Sequence, residues 1–319
     1  MILTPEVLAI IIVNIIFIIF TLIAFIISIK ISFQWNRDAT TQLQYTLEKQ
    51  SFLTATIIKY IFIIKIPLFL FFIFTLDKIS FILPGAMCGA GVVDATAYGS
   101  PLFILKILNL YIFSYWLFLH NEDIKYENQP YTKLKFTLFN IASLLFITEL
   151  IVEIMMFNAI DTTKIVDCCG TIYSSSATSY ISDFFHIGNP ILLTIFYSNF
   201  LFMISFYLLK KASLFAISNI LFIITSIITL IVFFGTYIYE QPSHHCPFCF
   251  LQSDYYYIGY FLYTMLFIGT IFGIATGFIP SSNEIKERRY KISLTFNSFY
   301  LLSVSLYPIL FYILNRVWL

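Results

Sequence analysis

A chain of 319 residues that is 60% hydrophobic and only 11% charged, with a mean hydropathy of +0.89 and a net charge of +1, carries more apolar surface than one water-soluble core can hide. This excludes a soluble globular domain, and no nucleic-acid-binding face is apparent. Lipid is the expected solvent, and because the apolar runs are continuous rather than alternating, helices are expected rather than barrel strands.

A helix needs about 20 mostly apolar residues to cross a hydrocarbon layer of about 30 Å. In chain order such runs fall at about 6–29, 53–76, 101–120, 136–158, 191–209, 213–237, 256–278 and 294–314. The expected fold is therefore all-α: a polytopic integral membrane protein with eight spans in one transmembrane helical domain, residues 1–319. The first run follows no basic residue, carries Glu6 near its start and lacks a small-residue cleavage pattern, so it is expected to stay as a span.

Basic residues set the orientation, because basic loops are retained in the cytoplasm. After spans one, three, five and seven come Lys30, Arg37 and Lys49, then Lys125, Lys133 and Lys135, then Lys210 and Lys211, then Lys286, Arg288, Arg289 and Lys291, which is twelve. The other side has Lys78, Lys164 and Arg316, which is three. One missed or extra span would scramble that alternation. Both termini, and loops 77–100, 159–190 and 238–255, are expected on the extracytoplasmic side. Residue usage rich in Ile, Phe, Tyr and Lys points to an AT-rich genome and a bacterial inner membrane.

All five cysteines fall in those three loops. The loop before span seven reads Ser243-His244-His245-Cys246-Pro247-Phe248-Cys249, in which a C-x-x-C pair and two imidazoles offer soft and borderline ligands to one metal ion. The same proline and histidines suit a thiolate prepared for exchange, and a structural disulfide accounts for the cysteines equally well. Cys168 and Cys169 are neighbours, so an ordinary disulfide between them is strained and bonds or ligation elsewhere are expected. An odd total leaves at least one sulfur unpaired within a monomer. Cys88 lies in a glycine-bearing segment beside Met87, whose thioether would suit Cu(I), although a single methionine more often packs than ligates. His186 is on the same expected face, whereas His120 falls at the cytoplasmic end of span three.

Glu149 and Glu153 lie four residues apart inside span four, with Lys106 of span three as their natural partner; Lys59 and Lys65 add charge to span two ahead of Pro67. Buried carboxylates in a membrane mark pathways or proton relays, or else form structural ion pairs. Gly269, Gly273 and Gly277 give span seven a small-residue face for close helix contact.

No phosphate loop, kinase or hydrolase signature or zinc-protease motif occurs, and no inverted repeat supports a transporter architecture. The first functional expectation is a membrane protein that binds, transports or delivers a soft metal, copper above others. Its ligands would be His244, His245, Cys246 and Cys249, with Cys168, Cys169, Cys88 and Met87 as additional or transfer ligands and Glu149, Glu153 and Lys106 as an intramembrane relay. The expected partners are the bilayer and an extracytoplasmic metalloprotein or thiol protein. A C-x-x-C at the entrance to a span, with further outer cysteines, resembles quinone-linked disulfide-generating membrane enzymes, which are shorter chains and share the motif alone. The alternative is accordingly a thiol–disulfide oxidoreductase with Cys246 and Cys249 as the exchanging pair and a quinone as acceptor. A disulfide-braced subunit of a membrane complex is the third expectation.

Overall fold

The computed structural model describes residues 3–36, 39, 41–166 and 188–319; Cys168, Cys169 and His186 lie outside these. Among the described residues there is no strand, and eight helices are long and apolar enough to cross a membrane. The long helices are α1 (Pro5–Gln34), α2 (Gln42–Ser80), α4 (Gly99–Asp123), α5 (Thr132–Ala159), α6 (Asn189–Leu208), α7 (Ala212–Tyr239), α8 (Ile258–Phe278) and α9 (Asn283–Asn315), and the short helix Gly89–Asp94 is α3.

 The eight apolar helices are consistent with a multi-pass membrane protein.

Two helices are longer than their apolar runs. α2 begins at Gln42 and α9 at Asn283, each roughly ten residues before the run expected from hydropathy. The extra turns are built from strong helix formers such as Gln, Glu, Lys and Arg, which extend a helix without adding hydropathy. In α9 the start is fixed by Ser282, whose hydroxyl accepts from Ile285 N at 3.4 Å, with Glu284 in the first turn.

The chain forms two compact units. The first comprises residues 1–79 and 93–164 and contains α1, nearly all of α2, α4 and α5. Its core is aromatic: Phe62 stacks on Phe113 at 4.3 Å, meets Trp116 edge-on at 5.4 Å, and Phe113 meets Phe146 at 6.1 Å. The Trp116 indole donates to Lys135 O at 2.9 Å, so its buried N–H is satisfied. α1 buries Asn14, Thr21 and Ser28, spaced by sevens, toward the protein, while Ile12, Ile16, Ile19 and Ile23 stay exposed. That inversion is the pattern of a helix whose outer solvent is hydrocarbon. Ser28 Oγ donates to Phe136 O at 3.0 Å, and Asn140 Nδ2 donates to Ser32 Oγ at 3.1 Å, joining α1 to α5. Asp123 holds the α4–α5 turn by accepting from Tyr131 N at 2.7 Å and pairing with Lys135 at 2.6 Å.

The second unit comprises residues 80–92 and 165–319 and contains α6 to α9. The glycine face expected on span seven packs internally. A Cβ on Gly269 would lie 2.6 Å from Asn297 Cγ of α9, one on Gly273 would overlap Asn219 of α7, and one on Gly277 would overlap Ala212 and Ala216. The space so gained holds a polar knot: Asn297 Nδ2 donates to Asn219 Oδ1 at 3.0 Å, as does Ser293 Oγ at 3.2 Å. Arg289 Nη1 donates to Ala275 O at 3.2 Å in the last turn of α8, where a cation complements the helix end.

Candidate functional site

The site lies in the second unit, in the loops that precede α3 and α8. The first of these turns at Gly85, whose φ of +88° is open to glycine and strained for other residues. A Cβ there would also overlap Val166 O, because Val166 N donates to Pro84 O at 3.0 Å. The turn delivers Cys88 to the start of α3, fully buried.

The second loop follows α7, whose final turns are not regular. Leu230–Phe234 is π-helical, an insertion that releases a backbone carbonyl from the regular ladder. His245 uses one such group, with its Nδ1 3.0 Å from Ile231 O. A Cβ on Gly235 would lie 2.8 Å from Leu230 O, so the residue closing the π turn is held small. Tyr239, in the last turn, is buried and pins the cysteine loop from within: its hydroxyl donates to Cys246 O and accepts from Phe250 N at 3.1 Å. Tyr263 of α8 donates to Pro247 O at 2.8 Å. Two consecutive left-handed residues, Tyr256 and Tyr257 at φ +54° and +56°, then redirect the chain into α8.

The result is a cluster of three sulfurs. The Sγ atoms of Cys88, Cys246 and Cys249 all lie within 4.8 Å of one another, with Cys88 and Cys246 at 3.5 Å. No S–S bond joins them, and they are at most 5% exposed. Phe248 N donates to Cys246 Sγ at 3.4 Å. Among the described residues the group consists of three buried sulfurs, a soft donor set.

The other candidates are placed differently. His244 packs its ring edge-on against Tyr239 at 4.2 Å, and its buried Nε2 has no hydrogen-bond partner among the described residues. His245 faces the α7 carbonyl, and burial pushes its imidazole below the usual range, which favours the neutral form. Neither histidine belongs to the group within 4.8 Å. Met87 is 65% exposed, and its carbonyl accepts from Gln252 Nε2 at 3.1 Å. Cys168 and Cys169 lie outside the described residues. His120 stacks on Trp116 at 5.0 Å in the first unit.

Glu149, Glu153 and Lys106 do meet, inside the first unit. Lys106 Nζ is 2.8 Å from Glu149 Oε1 and 3.1 Å from Glu153 Oε1. Lys65, noted in the sequence only as a charge in span two, joins them at 3.0 Å from Glu149. Asn14 and Asn109 complete the group and were not expected from the sequence; a lone asparagine in α1's apolar run was the available signal.

No family model, no curated protein and no solved structure matches this chain. Any functional conclusion therefore rests on the geometry alone.

Proposed function

We propose that this chain is a multi-pass membrane protein that binds a soft metal ion, copper(I) above others, on Cys88, Cys246 and Cys249. On this reading the cysteine loops face the extracytoplasmic side, and the protein moves the ion or passes it to an extracytoplasmic metalloprotein. The observation that carries the reading is the three buried sulfurs within 4.8 Å of one another. A metal at about 2.3 Å from each of three thiolates in one plane would hold them about 4.0 Å apart, so small side-chain shifts close the set around an ion. Thiolate donors select Cu(I) and zinc over hard cations. Zinc takes four ligands, and His244, with Nε2 unsatisfied, is the group it would recruit.

The test is Cu(I) titration of the detergent-purified protein against a competing chelator. The expected result is one ion per chain, bound more weakly as pH falls because protons compete for the thiolates. Cys88→Ser, Cys246→Ser and Cys249→Ser should each lower affinity by more than the roughly 10–100-fold that an outer-shell change costs. Wild-type protein that binds no more Cu(I) than the triple variant would sink the reading.

Thiol–disulfide exchange is the second reading, favoured by the 3.5 Å contact between Cys88 and Cys246. Two thiols would become one disulfide, passing two electrons and two protons to a quinone. The near-complete burial of all three sulfurs counts against attack by a protein partner. A Cys246-containing disulfide that equilibrates with dithiol buffers would establish this reading instead.

A further inference from the structure

The first unit contains a second buried group that uses no cysteine and does not depend on the metal reading. Glu149 is saturated with donors: Oε1 accepts from Lys65 Nζ at 3.0 Å and Lys106 Nζ at 2.8 Å, and Oε2 from Asn109 Nδ2 at 2.6 Å. Each ammonium also lies 4.3 Å from a ring centre, Lys65 over Phe146 and Lys106 over Phe72. These three charges hold one another.

Glu153 is held less well. Its Oε2 accepts from Asn14 Nδ2 at 2.8 Å, but its fully buried Oε1 sits 3.1 Å from Lys106 Nζ without a hydrogen-bonding angle to it. Asn14 Oδ1 in turn accepts from Lys65 Nζ at 3.0 Å, so one amide spans ammonium and carboxylate. Asn109 Oδ1 is likewise buried with no hydrogen-bond donor among the described residues. Beside it opens a cavity of about 20 Å³, lined by Asn14, Lys65, Lys106, Asn109 and Glu149. About 10–15 Å³ is enough for one water when polar partners surround it.

We propose that this cluster is a proton-exchange site, with Glu153 taking up and releasing the proton, Glu149 the fixed countercharge and one water in the cavity the carrier. Two ammonium groups repel a metal cation, and two carboxylates leave no net charge to hold an anion. The proton is the ion that this set accepts without losing a partner. In the step, Lys106 gives a proton to Glu153 Oε1 and regains one from a protonated cavity water. One carboxylate becomes a carboxylic acid, and the cluster passes from net zero to +1. The charged groups facing Glu153 are Lys106 of α4 and, through Asn14 of α1, Lys65 of α2; Glu149 lies one turn away on α5.

The test is infrared difference spectroscopy of the full-length protein, carrying ¹³C-labelled glutamate and reconstituted in lipid, between high and low pH. An isotope-shifted carboxylic-acid band should rise as pH falls and be lost in Glu153→Gln. Asn14→Ala removes the donor to Glu153 Oε2, so the band should shift in frequency in that variant, which also decides the matter if Glu153→Gln does not fold. A wild-type spectrum with no titrating glutamic-acid band would overturn the proposal, as would a band that survives Glu153→Gln or stays unmoved in Asn14→Ala.

Discussion

At the scale of single residues, burial makes each polar side chain answerable to named partners. Glu149 is the shared countercharge of two buried lysines, so Glu149→Gln leaves Lys65 without its carboxylate and Lys106 with Glu153, a loss of about 3–5 kcal/mol for a broken buried pair. Lys65→Met leaves Glu149 with Lys106 and Asn109 and should cost distinctly less. Unfolding in detergent would compare them, and equal losses would contradict the arrangement. Tyr239→Phe strips the hydroxyl from a buried carbonyl and a buried N–H, about 1–3 kcal/mol, and should weaken metal binding although every sulfur remains. The charges in span four were legible in the sequence because a carboxylate in an apolar run stands out. Asn14, Asn109 and Tyr239 were not, since a lone asparagine or tyrosine in such a run is common and its meaning depends on what it meets.

At the scale of elements, the glycine face of α8 shows how closely helices approach when no side chain intervenes. Gly273→Leu would drive a branched side chain into Asn219 and should cost about 1–3 kcal/mol or more, together with loss of the Asn219–Asn297 hydrogen bond. Gly188→Ala is the control, because a Cβ there has its nearest neighbour among the described residues at 3.8 Å and should be tolerated. Thermal melting of the two variants separates a packing glycine from an incidental one. The four-residue spacing was visible in the sequence; that the face turns inward, onto α7 and α9, was not. The π turn of α7 was equally hidden, because Leu230–Phe234 reads as ordinary apolar helix and only the hydrogen-bond ladder reveals the extra residue.

At the scale of the whole molecule, the expectation still to be measured is sidedness. The twelve-to-three division of basic residues predicts that an impermeant thiol reagent applied to intact cells labels Asp254→Cys and spares Asn128→Cys. The reverse pattern would invert the topology and place the sulfur cluster in the cytoplasm. The all-helical character and the eight apolar helices followed from the sequence, because the match of a helix to a hydrocarbon layer depends on the composition of a contiguous segment. Which sulfurs gather was decided by the tertiary structure. Cys88 and Cys246 are 158 positions apart, and a contact of that separation leaves no local pattern to read. The same holds for Asn14 and Glu153, 139 positions apart, whose meeting gives a buried carboxylate an aligned donor.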